Sequence, residues 1–170
     1  MKTPMTVAQS LRHARHDFLN ELQLIKMNLD LGRLDEVQAI IRSHGEAAVQ
    51  MSRLSGLKME KTEEWLLLAQ WRFPEIRFHL SCLAAKAPVH LDETYSKTIE
   101  ALIRAALEQT DPYEEYECFI TFSNEDSFFI AEIRLTGEWT ELAVPETELE
   151  IVKACEPDGL KIAIRAQMEG

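Results

Sequence analysis

Apolar positions change their period partway along the chain, and that change divides the sequence. Over the first part Leu11, Phe18, Leu22, Ile25 and Leu29 recur at spacings of seven, four, three and four. This is a two-in-seven seam, the pattern of a helix packed in a bundle or coiled coil. Pro4 precedes Thr6, and Thr6-x-x-Gln9 fits a capping box in which each side chain satisfies the other's exposed amide. Gly32 offers a left-handed C-cap. A second helix is predicted at once: Leu34 as a hydrophobic staple, Asp35-x-x-Gln38 as another capping box, then Val37, Ile41, His44, Ala48, Met51 and Leu54 at three and four. Gly45 inside it costs about 1 kcal/mol relative to alanine. So short a link makes the helices antiparallel neighbours. A lone pair covers only part of each seam. Either a second copy closes a four-helix bundle by homodimerisation, which is the first expectation, or the rest of the chain covers the seam.

After "KMEKTEE" (58–64) the pattern becomes mixed. "WLLLAQWRF" predicts a short helix stopped by Pro74, and "IRFHLSCL" (76–83) alternates as a strand. Residues 92–109 form an amphipathic helix with acidic residues in its first turn. "YECFITFS" and "SFFIAEIRLTG" read as a hairpin around "NED", "PETELEIVKACE" as a helix, and "GLKIAIRAQ" as a closing strand. The fold class is therefore α+β: a helical hairpin over 1–61 and a small α/β domain over 62–170.

Charge sharpens that boundary. Residues 1–61 hold nine Lys/Arg against seven Asp/Glu (+2), and residues 62–170 hold nine against 22 (−13), which sum to the net −11. An acidic chain without a basic stripe is a poor phosphate-backbone binder, so nucleic acid is not the expected partner. The mildly basic first third suits an acidic protein partner. A 46% hydrophobic, 28% charged composition is that of a soluble globular protein. Apolar runs such as "WLLLA" (65–69) are far too short to cross a bilayer, and "MKTPMTVAQS" has no apolar core of a signal peptide. Cys82, Cys118 and Cys155 form no C-x-x-C and read as buried thiols in a reducing cytoplasm.

The chemistry concentrates in "HARHDFLN". On a helical wheel His16 falls roughly 130° from the seam centre, with Asn20 one turn below it and His13 nearer the far face. Three readings fit an outward cluster of this kind. It is a solvated helix face; or His13, His16 and Asp17 are a partial metal chelate, which lacks an evident fourth ligand; or His16 is a nucleophile. An unshifted imidazole is mostly neutral at pH 7 and can attack phosphorus without prior activation. His44, His79 and His90 read as structural.

The run "RHDFLNELQLIKMNL" resembles the phosphoacceptor helix of the sporulation initiation phosphotransferases of spore-forming Bacillus-type bacteria. Those proteins carry His-Asp-aromatic-x-Asn-x-Leu-Gln at the start of a helical hairpin, and His16, Asp17, Phe18, Asn20, Leu22 and Gln23 match it. Arg15 and His13 also fit. A looser His-Glu-aromatic-x-Asn form occurs in citrate- and dicarboxylate-type sensor kinases. The tight match covers about the first 30 residues; the rest agrees in element order.

The resemblance implies a phosphorelay phosphotransferase. His16 would accept a phosphoryl group from a response-regulator aspartyl phosphate and pass it to the aspartate of a second regulator controlling sporulation. Arg15, Asp17 and Asn20 would support it, and Arg12, His13, Gln23, Leu24 and Met27 would contact the receiver domains. Leu24 and Met27 have a second possible role, packing under the C-terminal domain. That domain would be a histidine-kinase ATP-binding domain that has lost its nucleotide site. "SKTIEALIRAALEQ" contains no asparagine, and Gly137 and Gly159 are isolated. An unrelated α+β domain is the other reading. No metal, ATP or other cofactor is expected on this chain, and Mg²⁺ would sit in the partner receiver. The competing function is a non-catalytic dimeric adaptor or kinase-inhibitory module docking through the same hairpin.

Overall fold

A computed structural model describes residues 4–169. They form α1 (Val7–Asp30), α2 (Leu34–Gly56), α3 (Glu60–Arg72), β1 (Ile76–Cys82), α4 (Asp92–Leu107), β2 (Tyr116–Glu125), β3 (Phe128–Thr136), β4 (Glu150–Glu156) and β5 (Gly159–Gln167), with a single 3₁₀ turn (Val89–Leu91) leading into α4. Packing divides the chain into two compact units, 1–48 and 49–170. The last turns of α2 thus belong to the second unit, whereas the sequence reading sets its boundary after residue 61.

The first unit is the helical hairpin. Its capping box is present: Thr6 N–H donates to Gln9 Oε1 at 2.8 Å, and Gln9 N–H donates to Thr6 Oγ1 at 3.2 Å. α1 ends in a Schellman motif. Gly32 adopts φ +69°, its N–H bonds the Leu29 carbonyl at 3.0 Å, and Arg33 N–H bonds the Asn28 carbonyl at 2.8 Å. α2 starts two residues earlier than its capping-box signal suggests. Val37 N–H bonds the Arg33 carbonyl, so Asp35 lies in the first turn, favouring the positive helix end, rather than capping it. Gly45 is accommodated without a break. Val37 and Asn28 are buried, and Asn28 Nδ2 donates to the Leu24 carbonyl at 2.9 Å. His44 Nε2 meets Glu21 Oε2 at 2.9 Å across the hairpin.

The second unit is a sheet with helices on one face. Strand order is β1-β2-β3-β5-β4, with β1 parallel to β2 and the other pairs antiparallel. Alternation sets the faces. Cys118, Ile120 and Phe122 of β2, Phe129, Ala131, Ile133 and Leu135 of β3, and Leu160, Ile162 and Ile164 of β5 are buried. They join one core with Trp65, Leu66 and Ala69 of α3 and Tyr95, Ile99, Leu102, Ile103 and Ala106 of α4. Tyr95 is fully buried and donates its hydroxyl to the Phe129 carbonyl at 3.0 Å. Gly159 is needed where β5 begins, because a Cβ there would lie 2.1 Å from the Leu135 carbonyl oxygen.

The helix expected over 145–156 is not formed. The approach to residue 149 is irregular, and Glu150–Glu156 is β4, paired with β5 around Pro157-Asp158. The β-branched Ile151-Val152 pair and the Pro-Asp-Gly turn favour a hairpin over the acidic helix start suggested by "PETELE". Cys82 and Cys118 are buried as expected, but Cys155 is exposed, since it lies on this edge strand.

Two polar ties hold the helices. Asp92, at the start of α4, is buried and caps α3 from a distance: its carboxylate accepts from Lys61 N–H at 2.7 Å, Thr62 N–H at 2.9 Å and Thr62 Oγ1 at 2.8 Å. These amides belong to the first turn of α3, which has no side-chain cap of its own. Glu100 of α4 accepts from Trp65 Nε1 at 2.5 Å, from Arg72 at 2.8 and 2.6 Å, and from Arg104 Nε at 2.6 Å.

Replacing Asp92 with alanine is expected to cost about 2 kcal/mol, the loss of a cap plus stranded buried donors; urea unfolding of the variant measures it. Burial alone would raise the Glu100 carboxyl, but the bonds from Arg72, Trp65 and Arg104 outweigh it and hold it below the usual range. Its stabilisation is therefore complete above the ordinary carboxylate pKa and fades as pH falls through the lower folded value. Glu100→Gln should lower the thermal midpoint at neutral pH, with a loss of about 1–2 kcal/mol. The gap to wild type should close in acid below about pH 4, which thermal scans across that range test.

Candidate functional site

Helical geometry decides what α1 presents. Its inward line is Glu21, Ile25 and Asn28, at spacings of four and three. Leu11, Phe18, Leu22 and Leu29 of the predicted seam remain 46–63% exposed, whereas Ile25, its fifth member, lies on the inward line. α2 behaves the same way: Val37 is buried, while Ile41 is 57% exposed. Within the hairpin, then, each seam is covered only in part: Ile25 and Val37 turn inward, and the rest stays exposed.

His16 stands away from α2, with its side chain 72% exposed. Its Nδ1 has two neighbours, Asp17 Oδ1 at 3.4 Å and Asn20 Nδ2 at 3.4 Å. These contacts are alternatives: a protonated Nδ1 donates to Asp17, whereas a bare Nδ1 accepts from Asn20. Both engage the same nitrogen. Nε2, across the ring, points away from them, and in the first tautomer it carries the lone pair a nucleophile needs.

The other residues singled out in the sequence fall around this ring. Arg12, His13, Arg15, Gln23, Leu24 and Met27 are all exposed, with Leu24 at 40% and Met27 at 52%. Gln9, Arg12, His13 and His16 line one concavity of 440 Å³ on α1. Gln9 enters the sequence reading only as a capping partner; its i, i+3, i+4, i+7 relation to the other three is the signal that places it here. No cluster of three or more His, Cys, Asp or Glu among the described residues has the arrangement of a metal site. His79 bonds Glu117 at 3.0 Å and stacks on Phe119 at 4.6 Å, a role within the sheet. No described helix is long and apolar enough to cross a membrane.

Residues 2–57 match the family described as "Sensor_kinase_SpoOB-type, alpha-helical domain". The chain is 40% identical over 62 residues to "Sporulation initiation phosphotransferase B" of Bacillus subtilis (strain 168), a match spanning 36% of this chain and 32% of that protein. Among solved structures, the catalytic domain of histidine kinase ThkA in a nucleotide-free form aligns with a TM-score of 0.43 at 13% identity, covering 68% of this chain and 92% of that one. That likeness adds nothing to the fold read directly from the strands. Over residues 2–57 the resemblance carried by the His16 motif holds, and there the chain is similar to the sporulation initiation phosphotransferases.

Proposed function

We propose that this protein is a phosphorelay phosphotransferase whose phosphoacceptor is His16. The observation that carries the reading is the exposed His16 imidazole on an unbroken helix, its Nδ1 engaged and its Nε2 outward, within a hairpin similar to that family. In the forward step the Nε2 lone pair attacks phosphorus of an aspartyl phosphate on a response-regulator receiver. The N–P bond forms as the bond from phosphorus to the carboxylate oxygen breaks, and the aspartate leaves as its anion. The reverse sequence delivers the group to the aspartate of a second receiver, one that controls sporulation.

Such transfers ask the protein for position and charge rather than covalent work. A helix supplies the position, since small misplacements cost large factors in rate. Asp17 holds the Nδ1 proton and so directs the nucleophile to Nε2, and Asn20 steadies the ring. Arg15 adds positive charge at the rim. Arg12, His13, Gln23, Leu24 and Met27 form the receiver-contacting stripe, with Mg²⁺ belonging to the receiver. The exposed seam is closed by a second copy in a four-helix bundle, so the working unit is a homodimer.

The second domain works without ATP. Two features of the sequence support this: residues 96–109 contain no asparagine, and Gly137 and Gly159 are isolated, with no Gly-rich cradle for phosphates. The competing adaptor reading would use the same stripe without chemistry.

Incubated with a phosphorylated receiver, the protein should acquire acid-labile, base-stable label, and His16→Ala should acquire none. A fully labelled His16→Ala variant would sink the proposal, and an unlabelled wild type would favour the adaptor. For the assembly, Leu22→Asp should convert a species of twice the chain mass to a monomer in light scattering; a wild-type monomer would refute the dimer.

A further inference from the structure

Midway along the hairpin the apolar seam is interrupted by two polar side chains. His44 stands on the α2 seam, with Ile41 three residues before it and Ala48 four after. Glu21 lies on the inward line of α1, with Phe18 three residues before it and Ile25 four after. The two meet across the hairpin, His44 Nε2 to Glu21 Oε2 at 2.9 Å, and in the single chain their side chains are 59% and 37% exposed. As a contact of one hairpin this is weak, because solvent screens an exposed pair. Its neighbours Phe18, Leu22 and Ile41 are themselves exposed, so a surface that covers them covers the pair as well. That surface must satisfy a carboxylate and an imidazole together, and an apolar one would strand both.

A second copy meets the demand. When two hairpins close a four-helix bundle about a two-fold axis along the helices, each α1 adjoins both α2 helices at the same level. Glu21 of either copy then has an imidazole on each side. We infer that Glu21 and His44 form the polar layer of the bundle, and that this layer selects another copy of this chain over a helical hairpin whose seam is apolar throughout. The inference rests on the seam being closed by a second copy. Single polar positions in a helical seam act in this way, fixing register and partner at a cost in stability. An apolar partner leaves the second carboxylate oxygen and the second ring nitrogen buried without partners, and selectivity comes from that penalty as much as from the match.

Association is measured by light scattering over a dilution series for wild type, His44→Leu and the double variant Glu21→Leu with His44→Leu, with helix content checked by circular dichroism. His44→Leu strands the carboxylate and is expected to raise the dimer dissociation constant about tenfold. The double variant should associate at least as tightly as wild type, because a packed apolar pair replaces a buried ionic one without loss. Selectivity is read from subunit exchange between wild type and the double variant, each carrying a different fluorophore. Mixed dimers should fall about tenfold below their statistical share. This reading stands by itself should His44→Leu lose helix content. Statistical mixing, or a folded His44→Leu dimer as tight as wild type, makes the pair an incidental surface contact and overturns the inference. A wild type that stays monomeric at every concentration instead removes the second copy, and the layer with it.

Discussion

Two helices cannot bury two full apolar seams, and that constraint governs the N-terminal unit. Each large apolar side chain left in water forgoes about 1.5–3 kcal/mol of burial. With Leu11, Phe18, Leu22 and Leu29 on α1 and Ile41 on α2 all largely exposed, the forgone sum rivals the net stability of a small domain. The hairpin has good local signals, a satisfied capping box and a Schellman turn, yet its tertiary burial amounts to little more than Val37 and Asn28. Local geometry shapes this unit; surface supplied from elsewhere must stabilise it. A helix in this position is a natural subject for concentration-dependent stability.

The same periodicity that creates the unsatisfied seam separates it from the chemistry. Residues on one stripe ask for burial, and those on the neighbouring stripe, from Gln9 through His16 to Gln23, are polar. A structure that covers the first leaves the second free. The imidazole needs no special environment to be reactive, since neutral histidine is already a competent nucleophile. What the fold adds is direction: the Asp17 carboxylate and the Asn20 amide both engage one ring nitrogen.

Local features were legible in the sequence. Thr6, Gln9 and Gly32 act within a turn of their neighbours, and the alternation of β2, β3 and β5 is strong because one face of each is packed. β4 was misread because its acidic flank resembles a helix start and, at a sheet edge, its own alternation is weak. The cap on α3 was invisible for another reason. Lys61 and Thr62 are satisfied by Asp92, some thirty residues later, and no local motif records that pairing. Within the site, the spacing placed His16 outward and His13 beside it. The engagement of Asp17 and Asn20 with one ring nitrogen required coordinates. The fate of the seam was left open by the sequence, because a pattern of apolar positions does not say which molecule will cover them.

The long-range cap has a topological consequence. Asp92 and the first turn of α3 close a loop that contains the whole of β1, an edge strand with a ladder on one side only. Tethered at both its roots, β1 cannot peel from the sheet by swinging on a free arm. It leaves only if the two helices also part, so the most vulnerable margin of the sheet inherits the cooperativity of its interior.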